Sequence, residues 1–121
     1  MSDIGVYGLA IMGQNLALNI ASKGYIVSIA NRSYEKVAHT LERSKLEFEL
    51  GTAHYNGKPL QLIGSKDYGS FVKSISKPRK IIILVQAGKA VDETIEQMAV
   101  FLEPGDILID GGNEWYPNSV R

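Results

Sequence analysis

The sequence predicts an α/β fold built on a doubly wound, mainly parallel sheet. Two observations predict it: short apolar runs alternate with amphipathic segments of helical spacing, and the first apolar run ends in a glycine turn that leads into a helix. We expect one domain, because 121 residues with 45% hydrophobic side chains suffice for a single core and leave no room for a second complete domain.

The chain opens with a strand, a helix and a second strand. Ile4 to Tyr7 is a short apolar run that enters the glycine turn, and the helix after it is expected to end at Gly24. The predicted apolar face of that helix consists of residues at helical spacing, Met12, Leu16 and Ile20. A β-branched run from Tyr25 to Ala30 predicts the second strand.

A second helix and a weakly patterned stretch come next. Ser33 can cap the helix, whose predicted apolar face is Tyr34, Val37 and Leu41. The polar stretch from Arg43 to Ser65 carries only a hint of a third strand, at Leu60 to Ile63, and a short hairpin around Asn56-Gly57. We expect a short helix after it, near Asp67 to Ser74.

The last third of the chain has clearer patterns. Lys80 to Val85 carries five apolar residues in succession, which predicts a strand covered on both faces. The next helix has an apolar face closed by Pro104-Gly105, and its members are Val91, Ile95, Met98 and Leu102. Asp106 to Asp110 predicts a further strand, and Pro117 is a candidate helix start.

The glycine turn has the form G-x-A-x-x-G, with Gly8, Ala10 and Gly13 at the three marked positions. In a nucleotide-binding strand–turn–helix unit the first glycine permits the tight turn and the third lets the helix pack closely on the strand. The methyl group of Ala10 is compatible with the turn if its φ is negative. The alternative is that both glycines serve only a tight strand-to-helix turn and bind no nucleotide. We predict a Rossmann-type dinucleotide site here.

Arg32 bears on which dinucleotide binds. The second strand ends in Ala30-Asn31-Arg32-Ser33, where an NAD site usually has an acidic residue for the ribose 2′-hydroxyl. A guanidinium can instead pair with a 2′-phosphate, and Asn31 and Ser33 can add neutral hydrogen bonds. The sequence therefore favours NADP, against the alternative that Arg32 is an ordinary solvated residue.

Composition excludes several functional classes. Thirteen basic and thirteen acidic side chains balance, so no overall field favours nucleic acid or an anionic membrane. The absence of cysteine excludes thiolate metal sites and disulfides. No apolar run approaches the roughly 18 residues of a membrane span, and the start lacks a signal-peptide pattern. We expect a soluble cytoplasmic protein with no metal site.

Four stretches resemble one family, the NADP-dependent 6-phosphogluconate dehydrogenases of the pentose phosphate pathway. They are GLAIMGQNL at 8–16, NRS at 31–33, VQAG at 85–88 and DGGNEWY at 110–116. The resemblance covers nearly the whole chain, and the last stretch is the most specific. Gln86 stands where many members have lysine, and the Arg43 to Ser65 stretch looks longer than in many members.

The resemblance implies a set of site residues. The cofactor-binding residues would be Gly8, Leu9, Ala10, Ile11, Met12, Gly13, Asn31, Arg32, Ser33, Val85, Gln86, Ala87 and Asn113. Asn113 would also contact the substrate. Residues 1–121 would form an N-terminal NADP-binding domain, incomplete and without the family's helical C-terminal domain.

The resemblance also implies the reaction of the parent protein, the oxidative decarboxylation of 6-phosphogluconate to ribulose 5-phosphate by a homodimer. The family's lysine base and glutamate acid would follow Arg121, so we expect no catalytic residue in this chain and no turnover by it alone. His39 and His54 are interpreted as solvated surface residues. The alternatives are another β-hydroxyacid dehydrogenase, of the 3-hydroxyisobutyrate type, and a non-catalytic NADPH-sensing module.

Overall fold

A computed structural model describes residues 1–84, 89–110 and 115–117, in which strands and helices alternate along the chain. The strands are β1 (Ile4–Tyr7), β2 (Val27–Ala30), β3 (Leu62–Gly64), β4 (Lys80–Ile83), β5 (Ile107–Asp110) and β6 (Trp115–Pro117). The helices are α1 (Ile11–Ala21), α2 (Tyr34–Glu49), α3 (Tyr68–Lys73) and α4 (Lys89–Ala99).

The strands form one sheet in the order β3-β2-β1-β4-β5-β6. Neighbouring strands from β3 to β5 are parallel, and β6 pairs antiparallel with β5. The chain winds outward from β1 in one direction and then, after β3, crosses to β4 and winds in the other. This order confirms the predicted doubly wound, mainly parallel sheet.

The core consists of two apolar clusters, one for each face of the sheet, and β1 and β2 contribute to both because successive side chains point to opposite faces. Val6 and Ile29 belong to the cluster that contains Ala17 and Leu18 of α1. Tyr7 belongs to the cluster formed with α3 and α4, whose other members include Phe71, Val72, Ile95 and Met98. Helices pack on both faces of the sheet, but the buried residues of β4, Ile81 and Ile83, both face α3 and α4, and Ile82 between them is only partly buried.

The predicted apolar face of α1 is wrong in part. Met12 is 68% exposed, and the buried residues of the helix are Gly13, Gln14, Ala17, Leu18 and Ala21. The rotation of the helix follows from Gly13, the residue that lies against the backbone of β1's turn. A small residue thus sets which face is buried, while the spacing of large apolar residues indicates a neighbouring face.

The weakly patterned stretch is partly helical. Helix α2 continues to Glu49, and the third strand lies at Leu62–Gly64, so it begins two residues later and ends one residue later than predicted. The predicted hairpin is confirmed: Tyr55 and Lys58 exchange two backbone hydrogen bonds of 3.0 Å, around a turn whose two central residues have positive φ. At the other end of the chain, Pro117 ends β6, so the candidate helix start at this residue is wrong.

Candidate dinucleotide-binding site

The glycine turn lies at the carboxyl edge of the central strand, where the winding of the sheet reverses. Its backbone is joined to both neighbouring strands. The Gly8 N–H donates to the Ala30 carbonyl at the end of β2 (3.0 Å), and the Leu84 N–H after β4 donates to the Tyr7 carbonyl (2.7 Å). Sheets of this topology bind ligands at this switch point, so the turn lies where a dinucleotide is expected.

Gly8 and Gly13 are both required by the geometry of the turn. Gly8 has a φ of +105°, and a Cβ at this residue would lie 2.4 Å from the Leu84 carbonyl oxygen. A Cβ at Gly13 would lie 1.8 Å from the Gly8 carbonyl oxygen. The first glycine therefore permits the turn and the third permits close packing of the helix on it, as the sequence predicts.

Ala10 occupies the N-cap of α1 with a φ of −71°, which meets the condition stated for an alanine in this turn. Its side chain supplies no capping hydrogen bond, and the first helical turn carries no acidic residue. Ile11 and Met12 are 71% and 68% exposed. The first N–H groups of α1 are thus left for an anion, since helix N-termini lack intrahelical acceptors and carry a positive dipole end.

The peptide groups of Leu9 are held by side chains from both sides. The Leu9 N–H donates to Asn31 Oδ1 (2.8 Å), and the buried Gln14 donates from Nε2 to the Leu9 carbonyl (2.9 Å). Arg43 of α2 in turn donates to Gln14 Oε1 (3.3 Å) and pairs with Glu47 (2.6 Å). We call these contacts the Leu9 brace; they fix the turn before any ligand binds.

Asn31 is part of this brace, although the sequence predicts it as a ligand of the cofactor. Its Oδ1 accepts from Leu9, and its Nδ2 donates to the Ser33 carbonyl at 3.2 Å. The amide therefore positions the glycine turn against the corner that follows β2. Its contact with a cofactor remains a prediction.

Arg32 and Ser33 are exposed at the carboxyl end of β2. Ser33 occupies the N-cap of α2, but its side chain makes no capping hydrogen bond. No salt bridge joins Arg32 to another residue of the described ranges. A guanidinium exposed beside a glycine turn can give two parallel hydrogen bonds to a phosphate.

A cavity of about 550 Å³ adjoins this corner and is lined by Asn31, Arg32, residues 66–68 after β3, and residues of α4 between 93 and 97. Its floor includes Tyr7, whose hydroxyl donates to Tyr68 Oη (3.1 Å). Burial, with the hydrogen bond to Tyr68, raises the pKa of the Tyr7 phenol well above its usual value. Tyr7 is therefore an uncharged wall of the cavity at neutral pH.

The sequence reasoning misses two residues of this site. Lys66 lines the cavity and lies two residues after β3, the strand whose position the pattern leaves uncertain. Gln14 is 3% exposed and supports the turn from inside α1. A polar residue beside the third glycine of the turn was the available signal for Gln14, whereas only the pairing of β2 with β3 reveals Lys66.

Four predicted ligands, Val85, Gln86, Ala87 and Asn113, lie outside the described residues, and nothing tests them. His39 is exposed on α2, and His54 accepts from the Gly57 N–H through Nδ1 (3.3 Å). Within the described ranges no three His, Cys, Asp or Glu residues are grouped as metal ligands. No helix in the same ranges is long and apolar enough to cross a membrane.

Comparisons with known proteins agree with this geometry. A family model described as the NAD binding domain of 6-phosphogluconate dehydrogenase matches residues 3–121. The chain is 52% identical over 121 residues to a chloroplastic decarboxylating 6-phosphogluconate dehydrogenase of Spinacia oleracea. It is 53% identical over 118 residues to a decarboxylating 6-phosphogluconate dehydrogenase of Arabidopsis thaliana. The matches include 99% and 98% of this chain but 20% and 22% of those relatives.

A solved structure is also similar, the 6-phosphogluconate dehydrogenase of Plasmodium falciparum, described in its apo form and in complexes with NADP+ and with 6-phosphogluconate. The TM-score is 0.77 at 47% identity, over 94% of this chain and 22% of the other. The chain thus spans about a fifth of the length of these relatives. Because the family model matches almost every residue, the chain belongs to the 6-phosphogluconate dehydrogenase family, in its NAD-binding domain.

Proposed function

We propose that this chain is the NADP-binding portion of a 6-phosphogluconate dehydrogenase. The observation that carries the proposal is an exposed guanidinium, that of Arg32, at the carboxyl end of β2 beside a glycine turn with an uncapped helix start. Support also comes from the similar Plasmodium falciparum structure, whose description includes a complex with NADP+.

The residues divide into two groups in this proposal. The turn from Gly8 to Gly13 binds the pyrophosphate with backbone N–H groups at the start of α1. Arg32 and the Ser33 hydroxyl bind the 2′-phosphate. Asn31 positions both the pyrophosphate-binding turn and the 2′-phosphate-binding corner, because its amide is hydrogen-bonded to Leu9 and to Ser33. Val85, Gln86, Ala87 and Asn113 complete the proposed set of ligands. Bound NADP supplies a hydride acceptor.

The proposed reaction of the whole protein is the oxidative decarboxylation of 6-phosphogluconate. NADP would supply the hydride acceptor for oxidation at C3, and the base would take the proton of the C3 hydroxyl. The resulting 3-keto acid would lose carbon dioxide, and the enediol would be protonated to ribulose 5-phosphate. Asn113 would contact the substrate, and the acid and base would come from residues outside 1–121, as would most of a homodimer interface. Identity of about half to named 6-phosphogluconate dehydrogenases favours this substrate over a small hydroxy acid.

We also propose a cytosolic location, which the lack of cysteine in the sequence supports. The Spinacia oleracea relative is named chloroplastic, so a plastid is the alternative. Microscopy of the full-length protein carrying a fluorescent tag would distinguish the two compartments.

Titration of the chain with NADPH and with NADH tests the cofactor. The wild type should prefer NADPH, and Arg32→Glu should weaken NADPH binding tenfold or more, since one charge-assisted contact contributes about 1.5–3 kcal/mol. Lys58→Glu, a charge reversal on the exposed hairpin, should leave both affinities unchanged. Equal affinity of the wild type for the two nucleotides would contradict the proposal.

An activity assay tests whether the catalytic acid and base lie outside residues 1–121. The chain should form no NADPH from NADP and 6-phosphogluconate, because we assign it no acid or base. Turnover by the purified chain would contradict that assignment. A full-length protein that binds NADPH tightly but oxidises neither 6-phosphogluconate nor a small hydroxy acid would instead favour a sensing role.

A further inference from the structure

Lys66 lies beside the Asn31–Ser33 corner because β3 runs parallel to β2. The register pairs Ile29 with Gly64, and the Ser65 N–H continues the pairing by donating to the Ile29 carbonyl (3.0 Å). Two residues past Gly64, the chain reaches Lys66 at the level where β2 has reached Asn31. The two strand ends therefore deliver a lysine and an arginine to the same edge of the sheet.

The Lys66 ammonium is held toward the start of α2. Its Nζ lies 5.2 Å from the centroid of the Tyr34 ring, within the range of a cation–π contact. Tyr34 is the first residue of α2 and follows Arg32 by two positions. The contact holds the ammonium at the start of α2, and the exposed side chains of Lys66 and Arg32 line the same cavity.

The charges that line the cavity indicate that binding a 2′-phosphate there needs a second cation besides Arg32. Arg32 and Lys66 line it together with three carboxylates, those of Asp67, Glu93 and Glu96. A 2′-phosphate carries about 1.5 to 2 negative charges at neutral pH, by analogy with other phosphomonoesters. One guanidinium cannot balance this phosphate by itself, and two cations on adjacent strand ends bring the local charge closer to balance.

We propose that Lys66 is a specificity-determining residue that binds the 2′-phosphate together with Arg32 and so selects NADP over NAD. The inference rests on the proposed function, since it assumes that the 2′-phosphate binds at the Asn31–Ser33 corner. Arg32 supplies the planar fork of donors, and Lys66 supplies a compact charge whose position is set by the Tyr34 ring.

The test compares ligands that differ only in the 2′-phosphate. The Kd values of NADPH, NADH, 2′,5′-ADP and 5′-AMP would be measured for the wild type, Lys66→Met and Lys66→Arg. Lys66→Met keeps most of the aliphatic stem and removes the charge. Lys58→Met is the matched control, because Lys58 is exposed on the hairpin and does not line the cavity.

Lys66→Met should weaken NADPH and 2′,5′-ADP by about three- to tenfold, between the effect of a solvent-screened ion pair and that of a charge-assisted hydrogen bond. NADH and 5′-AMP should bind as before, and Lys66→Arg should retain most of the preference for NADPH. The dependence of NADPH affinity on salt should also become weaker in Lys66→Met.

The outcomes separate the two proposals. A wild type that prefers NADPH, with Lys66→Met behaving like Lys58→Met, overturns the role of Lys66 alone. Equal weakening of NADPH and NADH by Lys66→Met overturns it as well, because the residue would then act on the fold or on the shared part of the ligand. A wild type that binds neither nucleotide, or both equally, overturns the proposed cofactor and this inference together.

The Tyr34 ring gives an independent readout of positioning. Tyr34→Phe keeps the face of the ring and should leave the NADPH preference unchanged, whereas Tyr34→Leu should reduce the preference by a smaller factor than Lys66→Met does. If Tyr34→Leu in the Lys66→Met background reduces the preference as much as it does alone, the ring does not act through Lys66.

Discussion

Two arginines lie at opposite ends of the parallel strands, Arg79 at the amino ends and Arg32 at the carboxyl ends, and their surroundings differ. Arg79 precedes β4 and is 5% exposed, and Asp106, which precedes β5, is 2% exposed. The Arg79 guanidinium lies 3.0 Å from Asp106 Oδ2, and the Arg79 N–H donates to Asp106 Oδ1 (2.8 Å). Arg32, at the carboxyl edge, is exposed and has no salt bridge within the described part of the chain.

The difference separates a cation that stabilises the fold from one suited to bind a ligand. Burial by itself would raise the pKa of Asp106, but the N–H groups of Arg79 and Glu103 and the Arg79 guanidinium hold it below its usual value. At the amino edge, the cation is thus buried and ion-paired with Asp106, although the Nε of Arg79 has no hydrogen-bond partner within the described part of the chain. At the carboxyl edge, Arg32 is exposed to solvent. A phosphate could therefore accept hydrogen bonds from its guanidinium without displacing a carboxylate of the described residues.

The largest effect is expected at the amino edge. Asp106→Asn removes the buried counter-charge of the Arg79 guanidinium and leaves it only the half-exposed Glu103 carboxylate, 3.6 Å away. The free energy of unfolding should fall by about 3 kcal/mol, the lower end of the range for a broken buried ion pair. Urea unfolding measures the loss. Asp67→Asn is the matched control, because Asp67 is an exposed N-cap and asparagine caps a helix about as well.

The Arg79→Met/Asp106→Leu double variant covers the case in which Asp106→Asn does not fold. It removes both charges and should recover much of the stability. The NADPH preference of Asp106→Asn and of the double variant should equal that of the wild type. A changed preference would show that the two edges are coupled, and Arg79 would then affect ligand binding as well as the stability of the fold.

The pH dependence of stability gives a second measure of the same edge. Because the folded pKa of Asp106 is lowered, its contribution is present above the unfolded value of about 3.9 and is lost as the pH falls through the folded value. Wild-type stability should therefore decrease below about pH 4. The stability of Asp106→Asn should decrease less over this range, and parallel curves would contradict this origin.

The next largest effect is expected in the glycine turn. Gly13→Ala places a Cβ 1.8 Å from the Gly8 carbonyl oxygen, so the helix must move away from the turn, at about 1–3 kcal/mol. Affinity for NADPH and NADH should fall together, because the pyrophosphate is common to both. Ala10→Gly, in the same turn, should change stability by about 1 kcal/mol or less. A selective loss of NADPH would assign the turn to the 2′-phosphate instead.

The smallest effect is expected from the Leu9 brace. Arg43→Met removes the contact to Gln14 on a partly exposed side chain, and should weaken both nucleotides by about two- to fivefold, within the range of a surface ion pair. The ratio of the two Kd values should not change, unlike in Arg32→Glu. An unchanged Kd for both nucleotides would show that Gln14 holds Leu9 without help from α2.

The local parts of the fold and site could be predicted from the sequence. The strand, glycine turn and helix at residues 4–21, the hairpin at Asn56-Gly57 and the burial of Ile95 and Met98 depend on neighbours within a few residues. The predicted third strand began two residues early and ended one residue early, because a three-residue edge strand carries too short a pattern to fix its ends.

By itself, the sequence determined the order of strands and helices, the glycine turn and the presence of a cation after β2, since each follows from short-range sterics and side-chain chemistry. Tertiary structure alone decided the rotation of α1, the Leu9 brace formed by Asn31 and Gln14, and the arrival of Lys66 beside Arg32. Those features depend on contacts between residues far apart in the chain, and their register is set by how the strands pair and how closely Gly13 lets α1 approach β1.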